Sequence, residues 1–261
     1  MNMKMMRPMI NKISKTEAFR FGFIMVLGGL LFYCQADELT GREIIEQAVE
    51  THGGLERWEN IKQLSFDKAV TLFLEDGSTQ RETDQFQLFQ FSVPFGKIEW
   101  EEDSIEHQII YEKERITKIE NDSLLTAPED GYLAERAFFA SEFVIKQPFD
   151  LLRAEVTLTR EKDTIIEGKE AYVVSSAYKN QTPDADRWYY IVDKASSTVI
   201  ANKVVLSDHT SWVENLTYDT STDFKFNAHR KSYRLNEKGE KTYLRAEYFY
   251  TNYQVLYQES Q

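Results

Sequence analysis

The residue types of a hydrolytic triad stand side by side in Asp208-His209-Thr210-Ser211. A working relay needs its three groups in line, nucleophile to base to carboxylate. Neighbouring side chains in a strand or tight turn point apart, so this run reads as a polar edge. No Gly-x-Ser-x-Gly elbow occurs in the chain. His52-Gly53-Gly54 could suggest a loop that cradles an anion. Such loops place their glycines before a helix, however, and here they follow one. A helix end is preferred, with the imidazole at the negative end of the dipole and the glycines forming the cap.

Metal chemistry finds little to work with. The histidines, at 52, 107, 209 and 229, form no His-x-x-x-His pair, and the one cysteine, Cys34, rules out a disulfide within the chain and a cysteine-based zinc site. Glu99, Glu101, Glu102, Asp103 and Glu106 cluster around Trp100. They lack the alternating acids and central glycine of a tight calcium loop. A solvated strand edge that discourages aggregation is the simpler reading. The residues thus point away from an enzyme, and no cofactor or metal is expected.

The aromatic side chains are more informative. Phe86, Leu88, Trp100, Tyr111, Phe139, Phe143, Trp188, Tyr190 and Trp212, with Tyr233 and Tyr248, are spread over segments that read as sheet and one middle helix. Core packing accounts for most such residues. A subset can line an apolar pocket between helix and sheet, and the first nine are the candidates for ligand binding.

The elements that must position them follow from periodicity. Thr40 and Glu43 make a capping box, and Leu39 with Ile44 can close a hydrophobic staple over it. Ile44, Ile45, Ala48, Val49 and His52 then form one helical stripe, and residues 55–61 add a turn that docks Trp58. From Leu64 the period changes to two, with Leu64, Phe66, Val70, Leu72 and Leu74 on one face. A turn at Glu75-Asp76-Gly77-Ser78 leads to a strand over 79–92, then short strands at 97–102, 105–111 and 115–120. Pro128 opens a helix over 129–146, closed by Gln147-Pro148-Phe149. Strands resume at 153–160, 171–178, 187–192, 199–206, 211–218, 224–234 and 243–253. Connections this short make an antiparallel meander.

The first residues are of another kind. A basic stretch is followed by an apolar run over 21–33, too short to span a membrane and the right length for an export signal. Residues 1–36 therefore read as a signal peptide and 37–261 as a single β domain. Two processing routes stay open. Cleavage can follow Cys34-Gln35-Ala36, or Cys34 can be the lipidated residue of a lipoprotein, although Tyr33 is large for the position before it. The formal charge of the chain is −12, and residues 1–36 hold five basic side chains against Glu17, so residues 37–261 carry −16. Nucleic acid is excluded as a partner on that ground.

The order of elements resembles the outer-membrane lipoprotein carrier (LolA/LolB-like) superfamily, and more narrowly a branch of it common in Bacteroidota envelopes. The resemblance is carried by the Ile44–Trp58 stretch with His52-Gly53-Gly54, by Gln147-Pro148-Phe149-Asp150-Leu151-Leu152, and by residues 166–174. Residues 188–198 and the closing strands complete it. It implies an α+β fold, a curved antiparallel sheet forming a half-open barrel on two helical segments with an apolar cavity between. It also implies a periplasmic or lipid-anchored envelope protein that binds or carries a lipid, acyl chain or acylated peptide without covalent chemistry. A lipid or glycan hydrolase using His209, or a structural envelope domain with no ligand, are the alternatives.

Overall fold

In a computed structural model the described residues are 38–179, 181–182 and 185–259. The expected signal peptide and Cys34 lie outside them. Helix α1 (Gly41–His52) starts as its sequence requires. Glu43 N–H donates to Thr40 Oγ1 at 3.2 Å, and Thr40 N–H donates to Glu43 Oε2 at 2.8 Å. Gly53 ends it at φ +133°, where a Cβ would stand 2.4 Å from the Phe224 ring. A short helix, α2 (Leu55–Glu59), then presents Trp58 flat against Phe149, ring centroids 4.3 Å apart.

Fourteen strands follow: β1 (Ile61–Phe73), β2 (Thr79–Gln90), β3 (Phe95–Glu102), β4 (Ile105–Glu112), β5 (Arg115–Glu120), β6 (Ser123–Leu125), β7 (Val156–Arg160), β8 (Thr164–Ile166), β9 (Lys169–Tyr178), β10 (Arg187–Asp193), β11 (Val199–Val205), β12 (Thr210–Asp219), β13 (Phe226–Leu235) and β14 (Lys241–Tyr257). Between β6 and β7 lie helix α3 (Pro128–Ile145) and a 3-10 turn, Phe149–Leu152. The strands form one open antiparallel sheet in the order β6-β5-β4-β3-β2-β1-β14-β13-β12-β11-β10-β9-β7, with β8 beside β9. The sheet is thus two meanders joined by the pairing of β1 with β14, which puts Leu64 opposite Val255 and Val70 opposite Tyr248.

The expected architecture holds, with more strands than the sequence resolves. β6 and β8, three residues each, carry no periodicity to read. The β3–β6 hairpins turn on Asp103-Ser104, Lys113-Glu114 and Asn121-Asp122, all six residues at positive φ. Such paired left-handed residues match the twist of the flanking strands.

One face of the sheet is concave and holds the core. Leu64, Phe66, Phe89, Ile98 and Ile109 point into it. Ile44, Ile45, Val49, Trp58, Phe138 and Phe149 meet them from the helices and the 3-10 turn. Helix α3 buries the row Ala134, Phe138, Ser141 and Ile145, spaced to share one face. Phe138 settles over Gly96, where a Cβ would come within 2.4 Å of its ring. Ser141 Oγ donates to Gln87 Oε1 at 2.6 Å. A small second cluster, Ala171, Ile191 and Ala201 with Trp212 against it, lies on the convex side.

Candidate functional site

Because Phe138 fills the space directly beneath α3, the expected single pocket between helix and sheet is replaced by two clefts, one on each flank of the helix. The first, about 580 Å³, lies between α3, α2 and the β2–β3 turn. Its aromatic walls are Trp58, Phe91, Phe95, Tyr111, Phe139 and Phe149. Its rim is charged: Glu142 pairs with Lys146 at 2.8 Å and Asp150 with Arg153 at 3.3 Å. Burial raises the Asp150 carboxyl above its ordinary pKa against the pull of Arg153 and Lys146.

The second cleft, about 750 Å³, lies between α3 and strands β9–β11. Ala140, Phe143 and Val144 form its helix wall, and Trp188, Val204 and Leu206 face them. Phe143 and Trp188 touch at 4.9 Å between centroids. Arg136, Glu155, Lys179 and Asp186 lie at its edge.

Behind this cleft sits a chamber of about 20 Å³, room for one water-sized group. Val144 and Trp188 line both spaces. Polar side chains converge on the chamber among the apolar ones. Arg230, 5% exposed, donates through Nε to Asn215 Oδ1 at 2.9 Å and through Nη2 to Asn202 Oδ1 at 3.4 Å. Among the described residues no carboxylate pairs with it. Tyr190 is fully buried with the Ser176 side chain beside its hydroxyl, and Gln147 lies beside Tyr178; among the described residues neither the hydroxyl, the Gln147 amide atoms nor Asn227 Oδ1 makes a hydrogen bond of normal geometry. Burial holds the Tyr190 phenol well above its ordinary pKa, so it stays a neutral O–H donor.

His52 borders the chamber but is fully engaged. Val199 N–H donates to its Nε2 at 3.3 Å, so Nδ1 bears the proton and donates to the Lys225 carbonyl at 2.9 Å. Desolvation lowers its pKa to about 4. It ends α1 as expected, but as a buried neutral ring rather than a cation on the dipole.

Of the nine aromatic and aliphatic candidates, six face the concave side or the clefts. Tyr111 and Phe139 line the first cleft, Phe143 and Trp188 the second, and Tyr190 the chamber. Trp100 packs against the core, stacked on His107 at 4.8 Å. Phe86, Leu88 and Trp212 do not join them. Gln87 and Phe89 point inward on β2, so Phe86 and Leu88 face outward, and Trp212 belongs to the convex cluster. Asp208 and His209 depart from the expectation that neighbours diverge. They sit in a bend before β12 and meet at 2.7 Å. Ser211 does not complete a relay; its Oγ accepts from Arg234 Nη1 at 2.8 Å. His209 lines neither cleft.

Arg230, Asn202 and Asn215 were not singled out by motif. The available signal was phase: Asn215 shares the inward parity of Ser211 and Val213 on β12, and Arg230 that of Phe226 on β13.

No family model matches the chain, and no curated protein does. Solved structures do. A LolA superfamily protein from Nitrosomonas europaea superposes with a TM-score of 0.56 at 8% identity, over 85% of this chain and 96% of that one. A DUF1329 family protein from Desulfovibrio piger gives 0.48 at 9% identity, over 81% and 91%. An outer membrane lipoprotein-sorting protein domain from Vibrio parahaemolyticus gives 0.43 at 10%, over 82% and 92%. The fold of this chain is LolA/LolB-like.

Proposed function

We propose that the chain is a cell-envelope protein that binds or carries a hydrophobic ligand, an acyl chain or a lipid-bearing molecule, without covalent chemistry. One observation carries this reading: the cleft of about 750 Å³ whose facing walls are Ala140, Phe143 and Val144 on one side and Trp188, Val204 and Leu206 on the other. Its size falls within the range of small-molecule sites, about 300–1,000 Å³. Each methylene taken from water contributes about 0.8 kcal/mol, so a chain of about twelve carbons has a large gross driving force. The fold supports the same reading, as does the export signal expected in residues 1–36. No helix among the described residues is long and apolar enough to cross a membrane.

The test is direct binding. A fluorescent fatty acid should titrate saturably and alter Trp188 emission. Organic extraction of protein purified from its native envelope should release an acyl species detectable by mass spectrometry. Ala140→Asp puts a carboxylate on the exposed helix wall and should weaken binding about tenfold or more, since it sets a charge against an apolar guest. Phe86→Asp, on the convex side, should not. No saturable binding together with no extractable species would overturn the reading.

A further inference from the structure

A cationic side chain deep in a fold is costly unless an anion or several hydrogen bonds neutralise it. Arg230 is buried against two neutral amide oxygens, with no carboxylate partner among the described residues. Around it lie polar groups without a well-formed hydrogen bond: the Tyr190 hydroxyl, beside the Ser176 side chain, and the Gln147 amide, beside Tyr178, both capable donors. Their common space is the chamber of about 20 Å³, whose wall of Val144 and Trp188 is also the inner wall of the large apolar cleft. A positive charge, unused N–H and O–H donors and an adjoining apolar trough together describe one kind of molecule, an amphiphile with a small anionic head.

Resting on the proposed function, we propose that Arg230, with Tyr190 and Gln147, receives the carboxylate of an unesterified long-chain fatty acid whose tail lies in the cleft between α3 and β9–β11. Arg230 supplies a charge-assisted hydrogen bond. Tyr190 and Gln147 donate to the remaining lone pairs, and the groups now without a well-formed hydrogen bond gain one. The chamber has room for one water-sized group, so one carboxylate oxygen enters it and the rest of the head group lies at its mouth. That size favours a planar carboxylate over a phosphate with its additional oxygens, and excludes a sugar.

The decisive comparison uses the unmodified chain. Hexadecanoic acid, hexadecanol, methyl hexadecanoate and hexadecyl phosphate compete separately against a bound hydrophobic dye. The acid should displace the dye at a concentration about tenfold or more below the alcohol, the ester and the phosphate. In Arg230→Met, checked for folding by near-ultraviolet circular dichroism, the acid should fall to the level of the alcohol. Should Arg230→Met not fold, the four-ligand comparison decides alone. Equal affinity for acid and alcohol would overturn the carboxylate site and leave the hydrophobic binder standing. A preference for the phosphate would overturn the choice of head group. Failure of all four to bind would overturn both readings together.

Discussion

His52 shows how one buried side chain couples the fold to pH. Its folded pKa is about 4, against 6.5 for an ordinary imidazole, because desolvation disfavours the cation. The unfolded chain therefore takes up a proton first as pH falls. The contribution is complete above about pH 6.5, declines as pH drops and levels off below about 4. Its full size is about 3 kcal/mol. Urea midpoints should hold from pH 7.5 to about 6.5 and then fall toward pH 4, and His52→Asn should flatten that slope; parallel slopes in both proteins would show that other groups govern it. The histidine's place at the end of α1 was legible in the sequence from the two glycines after it. Its neutrality was not, because the carbonyl of Lys225 and the N–H of Val199 reach it from across the chain. Arg230 was hidden for a similar reason: nothing adjacent marks it, and its meaning depends on which side chains the fold fails to set opposite it.

Helix α3 and its seat on the sheet form the next level. The stripe of apolar residues in 129–146 announced a helix, and Phe139 and Phe143 stood out as candidates for a lining. Sequence could not show that Phe138, just before Phe139, takes the centre, nor that Gly96 opens the notch it occupies. That notch is why the hollow is split in two. Replacing Gly96 by valine sets new carbons against the Phe138 ring and should cost about 1–3 kcal/mol by overpacking. Thermal melts should register the loss, and Gly96→Val with Phe138→Leu should recover part of it. An unaltered melting temperature in Gly96→Val would mean that the helix is not seated as described. Strands β3, β4 and β5 were legible but their turns were not, since Lys113-Glu114 and Asn121-Asp122 take left-handed conformations without the glycines that usually signal them.

Across the whole molecule, the short connections made an antiparallel meander readable, and the curved α+β sheet follows from them. What they could not reveal is that the first and last strands meet in the middle of the sheet, because that pairing joins residues nearly two hundred positions apart. Such long-range pairing is entropically expensive to form and is often completed late. A chain ending at residue 240 lacks β14 and should lose cooperative unfolding, seen as a broad denaturation profile with weak near-ultraviolet dichroism. A sharp transition there would show that one meander folds alone. A ligand at about a hundred times its dissociation constant should stabilise the intact chain by about 2.7 kcal/mol and raise its melting temperature on the order of 5–10 °C. The central pairing has one more consequence. Phe138 on Gly96 and Ser141 on Gln87 fix α3 to the first meander, whereas Trp188 and Val204 on the far wall of the larger cleft belong to the second. The cleft is therefore a jaw with one lip on each half-sheet, and its gape follows the curl of the backbone across β1, β14, β13 and β12. Under the proposed function, the width open to a guest is set by the bend of an entire sheet, not by the swing of a single side chain.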